Sequence, residues 1–248
     1  MTDGNEKIIN IVGMGPGGLK YMTFEAYEAL KSSDLIVGYT VYVELIRDEF
    51  PDTEMLTTPM RQETERCRLA FEKAREGRRV ALICSGDAGI YGLASLMFEI
   101  QPEYPDCSLN VIAGITAAVS GASILGAPLN HDFCVISLSD LMTPWELIEK
   151  RLRAAALGDF CIAIYNPQSK KRKDYLKRAC TILMDAGIEP GRASGYASNI
   201  GREGSRTTVC TLAELADAEA DMFTTVFIGN SKSYTEAGRL ITPRGYMV

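Results

Sequence analysis

The chain has one histidine, His131, in the stretch Pro128-Leu129-Asn130-His131-Asp132. A single imidazole excludes a zinc site built on several histidines. A Ser-His-Asp hydrolase would have to use this one residue, and the sequence has no G-x-S-x-G elbow. At a strand entrance His131 is either a structural hydrogen-bonding group or a proton carrier. The richer signals lie in glycine-bearing segments. Gly13-Met14-Gly15-Pro16-Gly17-Gly18 follows the apolar run Ile8–Val12 and satisfies G-x-G-x-x-G at Gly13, Gly15 and Gly18. Glycine permits positive φ and close backbone approach, so this loop could face a ligand. A dinucleotide site also needs an acid at the end of the second strand to hold a ribose. Here that strand, Asp34–Val37, carries its acid at the start and runs out into Gly38-Tyr39-Thr40. Pro16 removes an N–H that a phosphate would have used. The dinucleotide match is one of letters only.

Two further segments combine a strand end with small residues. Cys84-Ser85-Gly86-Asp87-Ala88-Gly89-Ile90-Tyr91-Gly92 places a carboxylate where open parallel sheets bind ligands. Asp87 could accept hydrogen bonds from a ligand or cap the helix expected from Ile90. Ala113-Gly114-Ile115-Thr116-Ala117-Ala118 again leads from a strand into a helix of small side chains. Tyr165-Asn166-Pro167-Gln168-Ser169 is followed by Lys170, Lys171, Arg172 and Lys173, and Arg202 and Arg206 lie in a glycine-containing loop. Such cations usually form a solvated face. Beside a cleft they could hold carboxylates, Arg172 bidentately.

These segments are carried by alternating strand and helix signals. Strands are expected at Ile8–Val12, Asp34–Val37, Arg79–Cys84, Leu109–Ile112 and Phe133–Ser137. The helices between them are Met22–Ser32, Gln62–Glu76, Ile90–Ile100 and Thr116–Leu125, from apolar spacings of three and four. Such alternation implies a mostly parallel sheet covered by helices. A polar break at Leu138–Pro144 precedes a second α/β series. Its strands are Phe160–Tyr165, Ala193–Ala197, Thr207–Cys210 and Thr224–Ile228. Its helices are Trp145–Ala156, Lys171–Ala186 and Leu212–Ala216. The reading is two domains, 1–138 and 139–248, with a ligand cleft between them and a loosely held tail from Thr242.

Composition narrows the classes. A length of 248 residues allows two modest cores, and 46% apolar with 23% charged residues is ordinary for a soluble enzyme. A net charge of −6 argues against non-specific nucleic-acid or anionic-membrane binding. Seven cysteines without a C-x-x-C suggest buried, reduced thiols in a cytoplasmic protein. No signal peptide or membrane-length apolar run is visible.

Taken in order, the Gly13–Gly17 loop, Gly86-Asp87, Gly114-Ile115-Thr116-Ala117-Ala118 and Pro128-Leu129-Asn130-His131-Asp132 resemble the tetrapyrrole (precorrin) methylases. The resemblance runs from about Lys7 to Asn230. Ser137–Glu146 and Tyr165–Ser169 resemble the branch that methylates precorrin-3B or cobalt-factor III at C17. Many relatives have G-D-P where this chain has Gly86-Asp87-Ala88; that changes loop stiffness but keeps the carboxylate. The resemblance implies two α/β/α domains, the first with a mostly parallel sheet and the second with a mixed one, in a homodimer. It implies S-adenosylmethionine as methyl donor, leaving as S-adenosylhomocysteine, and no metal ligands. Cofactor contacts then fall to Pro16, Gly86, Asp87, Ile90, Thr116, Ala117, Tyr165, Asn166, Ala197 and Thr225. The expected substrate is a tetrapyrrole bearing acetate and propionate groups, with Gly15, Arg61, Lys170, Arg172, Arg202 and Arg206 as its contacts. C17 methylation in this branch accompanies ring contraction, for which His131, Asp140 and Tyr39 are the candidate proton-moving groups. The competing readings are another precorrin position, diphthine synthase-like methylation, an NAD-dependent oxidoreductase and a non-catalytic tetrapyrrole carrier.

Overall fold

In the computed structural model, residues 7–169 and 171–247 are described. They fall into two compact units, one ending at Thr116 and the other beginning at Ala117. The domain boundary read from the sequence after residue 138 lies inside the second of these.

The first unit runs β1 (Lys7–Gly13), α1 (Phe24–Lys31), β2 (Leu35–Tyr39), α2 (Thr40–Glu44), β3 (Glu54–Thr58), α3 (Glu63–Arg75), β4 (Val80–Cys84), α4 (Ala94–Ile100) and β5 (Cys107–Ile112). Its five strands pair in the order β3-β2-β4-β1-β5, all in parallel. A parallel sheet must be covered on both faces, and strand residues alternate between two apolar clusters accordingly. Ile9, Ile11, Leu35, Val37, Val80 and Leu82 pack with α3 and α4. Val12, Ile36, Ala81 and Ile83 pack with α1 and α2. Thr23 caps α1, its side chain accepting the N–H of Ala26 at 3.1 Å.

The strand order makes two connections cross. The chain leaving β1 passes β4 to reach β2, and the chain leaving β4 passes β1 to reach β5. Both depart from neighbouring strand ends, so their loops must pass each other at close range.

The second unit runs α5 (Ala117–Leu125), β6 (Gly126–Ala127), β7 (Phe133–Ser137), α6 (Trp145–Leu157), β8 (Cys161–Tyr165), α7 (Tyr175–Asp185), β9 (Ala193–Ser198), β10 (Arg206–Thr211), α8 (Leu212–Leu215), β11 (Thr224–Ile228), β12 (Tyr234–Glu236) and β13 (Arg239–Ile241). The main sheet has the order β10-β9-β11-β8-β7 and is mixed: only β7 and β8 are parallel. Helices α6, α7 and α8 cover one face. Helix α5 and Leu240 of β13 cover the other. The chain is thus α/β, with a parallel first sheet and a mixed second one.

Several expectations need correction. Phe133–Ser137, read as the last strand of the first series, pairs with β8 in the second sheet. Strand β3 and helix α2 were missed; β3 is a short edge strand and α2 a helix of five residues, too brief for a periodic signal. The small sheet β12-β13-β6 was missed for the same reason. Helix α4 starts at Ala94 rather than Ile90, and α7 at Tyr175 rather than Lys171. Thr242 is not loose: it is 1% exposed, and its Oγ1 donates to the carbonyl of Pro128 at 2.7 Å.

All seven cysteines are free thiols. Burial pushes Cys67 and Cys180 up to about 12 and Cys84 up to about 11, so none of these three is a poised nucleophile. Among the described residues no helix is long and apolar enough to cross a membrane.

Candidate functional site

At the C-terminal edge of the first sheet the loops after β1, β4 and β5 interlock. Gly15 N–H donates to the carbonyl of Gly86 at 3.0 Å, and Gly86 N–H returns a bond to Gly15 at 2.7 Å. Both residues have positive φ, 76° and 72°. A Cβ at Gly13 would lie 2.6 Å from the amide nitrogen of Gly114, and one at Gly114 only 2.1 Å from the carbonyl oxygen of Gly86. Gly15 and Gly86 sit where the two crossing connections touch backbone to backbone, and Gly114, in the loop after β5, packs against Gly13 and Gly86. Gly18, the third glycine of the letter match, would meet nothing within 4 Å. It does not make the close helix–strand packing of a dinucleotide loop, which agrees with rejecting that reading.

Asp87 fastens the same assembly. Its Oδ1 accepts the N–H groups of Gly89 at 2.8 Å and Ile90 at 3.1 Å, and its Oδ2 accepts the N–H of Gly114 at 2.9 Å. The expected helix cap is instead a cap on the turn that precedes α4. Beside it Ile90 and Tyr91 stand 43% and 57% exposed, Tyr91 with a φ of 55°. A non-glycine residue held in the left-handed region is a strain that surroundings must enforce. Pro16 is buried in the loop, and Thr116 lies half-buried at the end of the unit.

Near the start of β3's outgoing loop, Arg61 is exposed with a φ of 70°, and its N–H donates to Glu63 Oε1 at 3.2 Å. Tyr39 ends β2 and makes an edge-to-face contact with Tyr42, ring centroids 5.1 Å apart. Sequence reasoning missed Arg66, which is 4% exposed and lies against the Tyr39 ring. The signal was present: Arg66 is four residues before Ala70 and eight before Ala74, on the apolar face of α3.

In the second unit, Ala117, Tyr165 and Ala197 belong to one apolar cluster, and Thr225 is the cross-strand partner of Ala197. The Tyr165 hydroxyl accepts the N–H of Ala118 in the first turn of α5 at 2.6 Å. Asn166 has a φ of 52°, and its amide donates to Ser137 Oγ at 3.0 Å.

The remaining predicted residues make contacts of their own. Asp140 sits between Tyr175, whose hydroxyl donates to it at 2.5 Å, and Arg172, whose Nε is 2.5 Å away. The Tyr175 hydrogen bond, aided by the Arg172 charge, holds Asp140 below the usual carboxylate range, and Asp140 in turn pushes Tyr175 up. Arg172 therefore already has a carboxylate partner within its own chain. His131 Nδ1 accepts the N–H of Asp132 at 2.9 Å. Arg202 lies over the Phe223 ring at 4.8 Å, and Arg206 is exposed at the start of β10. Lys170 lies outside the described residues. Among the described residues no group of three or more His, Cys, Asp or Glu could hold a metal ion.

An all-parallel sheet with helices on both faces and interlocked loops at its strand ends defines an α/β protein of the open-sheet class. Residues 9–216 match the Tetrapyrrole (Corrin/Porphyrin) Methylases. A Salmonella typhimurium protein named probable cobalt-factor III C(17)-methyltransferase is 43% identical over 240 residues, covering 96% of this chain and 99% of that one. A Sinorhizobium sp protein named precorrin-3B C(17)-methyltransferase is 37% identical over 232 residues, covering 90% and 89%. The crystal structure of the methyltransferase CobJ superposes with a TM-score of 0.86 at 39% identity, covering 95% and 99%. The chain belongs to the tetrapyrrole methylase family.

Proposed function

We propose that this chain transfers a methyl group from S-adenosylmethionine to C17 of precorrin-3B or cobalt-factor III in cobalamin biosynthesis, coupled to contraction of the macrocycle. We propose further that it acts as a homodimer, as the family resemblance implies, and in the cytoplasm, as its free cysteines suggest. The observation that carries the reading is the 43% identity to the Salmonella protein across 96% of this chain.

The residues present fit the donor. The loops 13–18, 85–92 and 113–116 contain no basic side chain, and Asp87 is their one charged residue. A lone carboxylate there suits a cationic ligand that carries no phosphate. When bound, S-adenosylmethionine supplies a sulfonium methyl that is already electrophilic. What the chain must add is alignment and exclusion of water more than acid–base power. Gly15, Gly86 and Gly114 form a pre-set backbone wall, and Asp87 holds that wall by three N–H bonds. Exposed Ile90 and Tyr91 offer apolar cover beside it. Proton movement during ring contraction falls to His131 or the Tyr39 hydroxyl; Asp140, held ionised by Tyr175 and Arg172, is suited to binding instead.

Anaerobic incubation with cobalt-factor III or precorrin-3B and S-adenosylmethionine, followed by mass spectrometry, tests the reading. A gain of one methyl group is expected, and no gain with either substrate rejects it.

A further inference from the structure

We infer that the guanidinium of Arg66 and the hydroxyl of Tyr39 form a subsite for a carboxylate of the substrate at the C-terminal edge of the first sheet. The identity of that carboxylate, an acetate or propionate of a tetrapyrrole, rests on the function proposed above.

Tyr39 and Thr58 end adjacent strands and are direct partners in the β2–β3 pairing. Arg66 reaches them from the next helix. Its Nε donates to Thr58 Oγ1 at 2.8 Å and its Nη2 to the carbonyl of Pro59 at 3.0 Å, with the Thr58 carbonyl at 3.5 Å. Its Cζ lies 5.8 Å from the centroid of the Tyr39 ring. Among the described residues no carboxylate lies within 4.0 Å of Arg66, although eleven lysine or arginine ion pairs form elsewhere. Arg66 Nη1 and the Tyr39 hydroxyl have no hydrogen-bond partner among those residues. Glu63, three residues before Arg66 on α3, accepts the N–H of Arg61 instead.

A guanidinium that is 4% exposed and meets only neutral oxygens has lost hydration without gaining an anion. The three backbone and hydroxyl acceptors fix its plane, so little side-chain entropy remains to be lost when an anion docks. Its position is at the strand ends where parallel sheets take ligands. A fixed, unneutralised Arg beside a phenol is a donor pair matched to the two oxygens of a carboxylate.

The test uses the full chain and uroporphyrin III, an octacarboxylate tetrapyrrole, as fluorescent probe. Affinity is measured at low and high salt for the wild type, Arg66→Gln, Arg66→Lys and Tyr39→Phe, with S-adenosylmethionine affinity by calorimetry and folding by circular dichroism. Arg66→Gln is expected to weaken uroporphyrin binding about 10- to 100-fold and to flatten its salt dependence, the loss of one charge-assisted contact. Arg66→Lys recovers part of that loss, Tyr39→Phe loses a smaller part, and S-adenosylmethionine affinity stays unchanged. Wild type that does not bind uroporphyrin, or Arg66→Gln that binds it normally with the wild-type salt dependence, overturns the subsite. Should Arg66→Gln not fold, wild-type affinity in Tyr39→Phe overturns it. Wild type that binds uroporphyrin through Arg66 but methylates neither proposed substrate overturns the function and leaves the subsite standing. Methylation with an unaltered Arg66→Gln affinity does the reverse.

Discussion

Asp87 Oδ2 accepts the N–H of Gly114 at 2.9 Å, tying the loop after β4 to the loop after β5 across 27 residues of sequence. The other carboxylate oxygen accepts from Gly89 and Ile90, so a single side chain serves three backbone donors. Hydrogen bonds to a charged acceptor contribute about 1.5–3 kcal/mol each at most, and these three act as one unit. Asp87→Ala should therefore lower the urea midpoint by an amount equivalent to about 2–3 kcal/mol, as well as weaken S-adenosylmethionine binding. Asp87→Asn, which keeps one carbonyl acceptor, should recover part of the stability. An unchanged midpoint in Asp87→Ala would show that the loops hold together without it.

The glycines of these loops should divide sharply in mutagenesis. Gly114→Ala drives a Cβ to 2.1 Å from the Gly86 backbone oxygen, so the loops after β4 and β5 must part. A destabilisation of about 1–3 kcal/mol or more is expected, with loss of donor binding. Gly18→Ala meets open space and should cost less than Gly114→Ala. Thermal unfolding of the two variants side by side checks this, and equal effects would contradict the assignment of Gly114 to loop–loop packing.

The glycine segments were legible because strand ends and small residues leave a mark in the sequence. Their purpose was not. Gly13 and Gly114 read as openings for a ligand, and the structure fills them with each other's backbone. The cause is the strand order, in which β4 inserts between β1 and β2; nothing local to either loop encodes that insertion. The apolar strands β1, β4, β8 and β11 were legible from their runs of buried side chains. Strand β6, two residues long, exists only because β13 pairs with it. Arg66 shows a third case. Its face on α3 could be read from helical spacing, but its lack of a counter-charge depends on what β2 and β3 bring to it.

Acid should unpick the first unit at a defined place. Asp34, at the start of β2, is held down at about 2 by the Arg79 guanidinium, which donates to it at 2.6 Å, and by the Arg79 backbone N–H at 2.9 Å. Its folded value lies below the ordinary 3.8, so its contribution is fully present above that value and is lost as the pH falls toward about 2. Asp34→Asn should unfold at lower urea than wild type at neutral pH, and the two proteins should converge in acid. A constant difference across the titration would mean that the Asp34–Arg79 contact does not respond to protonation.

Asp140 tests whether a carboxylate near the polar break handles protons. Tyr175 and Arg172 both favour its ionised form, and Trp145 packs on Tyr175 with ring centroids 4.6 Å apart, which fixes the phenol in place. A group held below the ordinary carboxylate range has no proton to give at neutral pH. The pH profile of kcat/KM should therefore show no Asp140 ionisation between about pH 5 and about pH 9. Tyr175→Phe removes the larger of the two stabilising contacts and lets the Asp140 value rise toward the ordinary range, still short of neutrality. That variant should lose about 1 kcal/mol of stability while its pH profile keeps the wild-type shape. A new limb near neutrality in Tyr175→Phe would instead place Asp140 in the proton path, with Tyr175 as the residue that sets its titration.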